Sequence, residues 1–190
     1  MDHIKVTGTL FVRHAQVAAI LAPTKLTSCQ FWVGLNQITD IGLTTFAGLL
    51  AGGFGTPTIG SHGYGVSTIV RPDTVPATGA YVYEMRVGNH ANPTPPVPTD
   101  LVMTGGYVWS GKMSVVAPTM TCSYPFAGAV DFTTLIPNAL IDSGVTSYTE
   151  EALFNIDGAM LARIVLDPAW AKPATGFTQF THRISFARAT

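Results

Sequence analysis

A chain of 190 residues carries ten Lys or Arg and eleven Asp or Glu, for a formal net charge of −1. Charged residues make up 11% of the chain, under half of the roughly 25% of an average soluble domain, while 47% is hydrophobic. A fold of this size exposes on the order of 8,700 Å², so these charges amount to about one per 400 Å². That balance excludes long-range attraction to nucleic acid, and it leaves a surface poorly protected against association. Copies of the same chain or companion chains are therefore the expected cover.

The length fits one domain, residues 1–190. Residues 3–13 open with Ile4, Val6, Leu10 and Val12 at alternate positions and predict a strand, interrupted at Gly8. Asp2, His3, Lys5, Thr7, Gly8 and Thr9 break up any apolar leader core, so no secretory signal is expected. Residues 29–35 predict a second strand. A short helix is expected over residues 40–51, capped by Thr39 or Asp40, stopped by Gly52-Gly53, with Phe46, Leu49 and Leu50 on its buried face. Residues 41–70 are almost without charge, but their glycines and threonines and Pro57 argue against a membrane span.

Residues 64–70 and 81–87 predict further strands, the latter with Tyr81, Tyr83, Met85 and Val87 on one face. Residues 71–79 read as a turn-rich connector. Residues 89–100 hold four prolines in twelve positions and predict an exposed extended loop. Residues 101–110 and 112–117 predict a hairpin turning at Ser110-Gly111, and residues 119–124 a strand ended by Pro125. Residues 149–154 predict a second helical piece, with Thr149 as cap and Glu150-Glu151 favouring its N-terminal dipole. Residues 159–166 and 177–187 predict closing strands. In the last, Phe180, His182, Ile184 and Phe186 share a face opposite Gln179, Thr181, Arg183 and Ser185. Eight or nine strands, helices confined to one or two short connections, and Pro/Gly loops predict an all-β antiparallel sandwich of jelly-roll type.

Motifs for chemistry are sparse. The residues Ala139-Leu140-Ile141-Asp142-Ser143-Gly144 resemble the hydrophobic-Asp-Ser/Thr-Gly signature of retropepsin-like aspartic proteases. In such a protein Asp142 would be one half of a water-activating carboxylate dyad. Only 46 residues follow Gly144, and no second such triplet supplies a partner. The favoured reading is a turn in which Asp142 and Ser143 bond their own backbone and Gly144 takes an unusual dihedral.

The five histidines His3, His14, His62, His90 and His182 show no metal-ligand spacing, and His182 is expected inside the fold or at an interface. Gly60-Ser61-His62-Gly63-Tyr64-Gly65 lacks the spacing of a phosphate loop and reads as a flexible loop. Cys29 and Cys122 are expected as buried free thiols rather than a disulfide. Trp32, Trp109 and Trp170 read as core or subunit contacts before a sugar platform. Lys5, Arg13 and Lys25 are scattered and form no basic arm, so nucleic-acid binding is expected to be weak. No catalytic residue, cofactor or metal is assigned.

The run Val115-Val116-Ala117-Pro118 through Tyr124-Pro125-Phe126, and the terminal Ile184-Ser185-Phe186-Ala187-Arg188, give the chain an organisation that resembles the jelly-roll coat proteins of small icosahedral, picornavirus-like RNA viruses. The resemblance implies a structural capsid subunit, assembled in the host cytoplasm into a virion with copies of itself or other coat proteins. It departs from plant-virus coats that carry a basic N-terminal arm. A receptor- or glycan-binding protruding or fibre-head domain, meeting a host receptor, is the alternative. A dimeric retropepsin-like protease using Asp142 comes third.

Overall fold

The computed structural model describes residues 4–20, 31–38, 82–114, 117–126 and 128–188. Among these residues nine strands form: β1 (Ile4–Ala15), β2 (Phe31–Ile38), β3 (Glu84–Gly88), β4 (Trp109–Lys112), β5 (Met120–Ser123), β6 (Ala129–Pro137), β7 (Ser147–Phe154), β8 (Met160–Ala171) and β9 (Phe177–Arg188). Every pairing is antiparallel, in the order β4-β3-β7-β8-β2-β1-β9-β6-β5. Residues 31–36 of β2 pair with β1, whereas Gln37 and Ile38 pair with β8. This one strand thus joins two four-stranded sheets, β5-β6-β9-β1 and β4-β3-β7-β8. The described residues contain almost no helix, only a single 3-10 turn at Asn138–Leu140.

The two sheets face each other loosely as a sandwich. Strand alternation sends Leu10 and Val12 of β1, Phe132 and Ile136 of β6, and Phe180 and Ile184 of β9 inward. They meet Met85 and Val87 of β3, Tyr148 and Leu153 of β7, and Leu161 and Ile164 of β8 in one apolar cluster. The rings of Tyr148 and Phe180 bridge the sheets edge to face, with centroids 5.5 Å apart at 83°. Across the layer Trp109 Nε1 donates to Thr134 Oγ1 at 3.1 Å, and Gly111 lies so close to Thr134 that a Cβ there would clash. Close approach of β4 to β6 therefore requires a glycine at that point.

Two expectations need correction, and one strand was not expected. Residues 149–154 are not helical but lie in β7. Their pair of glutamates is buried on both sides of the sheet, where partners outweigh the helix-start signal. Ser110-Gly111 is no hairpin turn, since both residues sit inside β4, which pairs with β3. Residues 129–137 escaped the sequence reading but form β6, whose mixed polar positions Asp131, Thr133 and Thr134 are all buried. The proline-rich residues 89–100 are a largely exposed loop, as expected. The strand expected at 64–70, the helix at 40–51 and the connector at 71–79 lie outside the described residues.

A bulge in β7 sets its phase. The register with β8 shifts between Tyr148 and Glu150, so Tyr148 and Glu151, three residues apart, both face the core. Truncating Phe180 to Ala removes a fully buried ring and its contact with Tyr148. The expected loss is about 3–5 kcal/mol of unfolding free energy, read from the urea midpoint.

Candidate interaction surface

The ionisable side chains decide what surface remains, and most of those in the strands are engaged internally. Strand alternation sends Glu150 and Glu151 to opposite faces of β7. Glu151, facing inward, has Oε2 2.7 Å from His182 Nδ1, and neither side chain reaches solvent. Its Oε1 is buried without a hydrogen-bond partner. The sequence expectation of an interior His182 is met, and its carboxylate partner was the signal missed in the helical reading of β7.

Glu150, facing outward, meets Arg163 of β8. Arg163 Nε and Nη2 donate to Glu150 Oε2 at 3.0 and 2.8 Å. The same guanidinium donates to Asp100 Oδ2 at 2.7 Å, Thr104 Oγ1 at 2.8 Å and the Thr94 carbonyl at 3.0 Å. The proline-rich loop is thus strapped onto the outer face of β7 and β8 by one buried side chain. Beneath it Met103, Ala152, Phe154 and Met160 form a second small apolar cluster. Gly88 permits the loop's approach, since a Cβ there would lie 2.9 Å from both Glu150 Cγ and the Gly106 carbonyl oxygen. Beside them Glu84 accepts from Arg86 Nη2 at 2.7 Å and from the Ser110 hydroxyl. Arg86 also stacks on Phe154 and Tyr107, 4.1 and 4.9 Å from the ring centroids.

On the outer face of the other sheet, Arg183 Nε and Nη2 donate to the two carboxylate oxygens of Asp131 at 2.7 and 2.9 Å. The guanidinium lies between the rings of Phe11 and Phe126, 5.1 Å from each. Arg13 donates to Gln179 Oε1 and to the Ala19 carbonyl, so it is not a free cation for phosphate. Among the described charged residues, those left exposed are Lys5, Lys112, Asp142, Asp157 and Asp167. Surface charge is therefore thinner than composition alone implies.

Among the described residues, large apolar side chains are exposed in three places. Val97, Leu101, Val102 (74% exposed) and Tyr107 project from the strapped loop and its return. Pairing of Ala15 with Phe177 and of Pro137 with Phe177 brings the segments bearing Val17, Ile20 and Leu140 to one end of the sheet. Pairing of Ala129 with Ser185 and Ser123 with Asp131 brings Tyr124 (70% exposed), Phe126 and Phe186 to the other. Scattered single residues of this kind need no explanation, whereas large contiguous apolar patches on soluble proteins are associated with interaction sites.

The remaining sequence candidates fall as follows. Asp142 lies on an exposed turn after the 3-10 segment, where Gly144 N–H donates to its Oδ1 at 2.7 Å and Val145 N–H to its carbonyl at 3.0 Å. Gly144, against expectation, does not take a left-handed φ, because the side-chain bond closes the turn without it. Cys122 is a buried free thiol, pushed up to about 11 by burial and by the nearby Asp131 carboxylate. His14 bonds the Thr175 carbonyl, and His90 Nδ1 accepts from Asn92 N–H. Trp109 and Trp170 are partly buried against the core. His3, Cys29, His62 and residues 60–65 lie outside the described residues, as does the side chain of Trp32. Among the described residues no group of His, Cys, Asp or Glu has metal-holding geometry, and no helix is long and apolar enough to cross a membrane. Comparison of the chain with protein-family models, curated proteins and solved structures gives no match.

Two outcomes follow from the charge networks. Arg163→Ala leaves Glu150 buried beside a loosened loop. It is expected to cost about 3–5 kcal/mol, with Arg163→Lys failing to restore stability because an ammonium cannot reach all four acceptor groups. Chemical denaturation of both variants checks this. Burial raises the Glu84 carboxyl, but Arg86 and Ser110 outweigh it and hold the group below its usual 4.5. Its stabilising effect is then complete above the unfolded value and lost as pH falls through the folded one. Between pH 5 and pH 3 the wild type should lose more stability than Glu84→Gln, as read by thermal melts across that range.

Proposed function

We propose that this chain is a structural subunit of a viral shell, self-associating or co-assembling with other coat proteins into an icosahedral particle. The observation that carries this reading is the internal use of charge. Glu84, Asp131, Glu150, Glu151, Arg163 and Arg183 are all buried, while Tyr124, Phe126, Leu101, Val102 and Leu140 are exposed. A monomer arranged this way presents apolar clusters with few charges to keep copies apart. A shell subunit has that need, because each copy is covered on several edges.

The all-β sandwich supports a jelly-roll assignment through its nested pairing. First strand pairs with last, second with eighth, third with seventh, and fifth with sixth, as in one long hairpin rolled upon itself. The pairings β1–β2, β3–β4, β6–β9 and β7–β8 fall outside that scheme. Engagement of Arg13, Arg163 and Arg183 within the fold favours a shell wall that does not grip RNA through these side chains. The apolar tip bearing Leu101, Val102 and Tyr107 favours the second reading, a receptor- or glycan-binding head on a virus or phage. The Asx bond at Asp142 fits a turn better than a proteolytic dyad.

Sedimentation velocity and negative-stain imaging at micromolar concentration, across pH and salt, test the proposal. Large closed particles or defined oligomers are expected, and Asp142→Asn should assemble as the wild type does, since an Asn side-chain carbonyl accepts the same Gly144 hydrogen bond. A dispersed monomer under every condition would overturn the shell reading. Peptidase activity abolished in Asp142→Asn would promote the hydrolase instead.

A further inference from the structure

We infer that the β5 edge is a contact between two copies of this chain, formed by antiparallel pairing of β5 with β5 of a second copy. The inference deepens the self-association proposed above and rests on it. Among the described residues β5 ends the strand order. An edge strand presents backbone N–H and C=O groups to any strand laid beside it, and natural edges are guarded by charges, prolines or bulges. Met120-Thr121-Cys122-Ser123 carries none of these guards, and its register with β6 is unbroken. The outward-pointing Thr121 and Ser123 are exposed, and exposed Tyr124 and Phe126 follow directly.

Charge and area both select a second copy as the occupant. An uncharged strand set against itself meets no like charge, and Asp131, which pairs with Ser123 across β5–β6, is already bound by Arg183. A two-fold axis perpendicular to the sheet must place residues of one face opposite residues of the same face. Centred on Cys122, that register sets Thr121 opposite Ser123 of the second copy. It sets Tyr124 of that copy opposite Met120, the residue after Thr119, whose N–H donates to the carbonyl of the exposed Lys112 at 2.9 Å. Four residues of strand from each copy, with Tyr124 and Phe126 twice over, remove on the order of 1,000 Å² from water, which reaches the size of a specific interface.

The test compares sedimentation of the full-length wild type with Thr121→Lys and, separately, Ser123→Lys, each confirmed as folded by circular dichroism. Leu140→Lys, at the opposite end of the sheet, serves as the control. Two-fold association should weaken at least tenfold in both edge variants and persist in Leu140→Lys. Using two edge variants keeps the test intact where one of them fails to fold. A wild type that associates while both folded edge variants associate equally well would overturn the β5 contact and leave the shell proposal standing. A wild type that stays monomeric throughout would overturn both.

Discussion

Two consecutive carboxylates on β7 point in opposite directions, and each has a partner held away from water. Glu151 reaches inward to His182 of the facing sheet, and Glu150 reaches outward to Arg163 beneath the proline-rich loop. Removing either partner would strand a carboxylate in a low-dielectric interior, a change far more costly than losing a surface ion pair. Sheet-to-sheet docking and loop placement are thus fixed by adjacent residues of a single strand. A slip of β7 by one residue would send Glu150 into the apolar core and Glu151 under the loop, away from both partners. The bulge between Tyr148 and Glu150 is what lets the Tyr148–Phe180 contact and the Glu151–His182 pair coexist on the core face.

The same arrangement determines the character of the outer surface. Each buried pair withdraws a carboxylate, and with Arg163 a cation as well, from a chain that has few charges. Glu84 with Arg86 and Asp131 with Arg183 repeat the pattern on the outer faces of the two sheets, with aromatic rings stacked on the guanidinium groups. Stability and the scarcity of surface charge are therefore linked in this molecule. Ion pairs that specify the fold do so with side chains that in most domains would keep copies apart.

Much of the strand content was legible because alternation over β1, β3 and β9 is clean enough to identify the core face directly. Leu10, Val12, Met85, Val87, Phe180 and Ile184 all lie where their spacing puts them. The failures share a physical cause. In β6 and β7 both faces are covered, so polar residues sit where a one-sided strand would have apolar ones. Thr133 bonds Thr181, Thr134 bonds the Thr119 carbonyl, and the two glutamates are paired. Period-two hydrophobicity vanishes in such strands, and only their distant partners make them strands. Ser110-Gly111 misled for a related reason: its glycine serves packing against Thr134 rather than a turn. The candidate surface was legible in composition but not in place. Sparse charge predicted association, whereas the positions of Tyr124, Phe126 and Leu140 depend on the register of β6 with β9.

Asn138 shows how the same economy of polar groups extends to the end of the sheet where β6 leaves the sandwich. Its side-chain oxygen accepts from the Tyr148 and Thr178 hydroxyls at 3.0 and 2.9 Å, and its amide donates to the Thr175 carbonyl at 3.2 Å. Its backbone N–H donates to the Gly176 carbonyl at 3.0 Å. One fully buried residue thereby ties β7, β9 and the turn before β9 to the close of β6. Burial pushes the Tyr148 hydroxyl far above its ordinary range, so it remains a donor throughout the physiological range. The half-buried Lys172 ammonium adds a bond to the Asn138 carbonyl at 3.4 Å, so the polar groups at this end of the sandwich are satisfied within the fold while Leu140 beside them stays exposed.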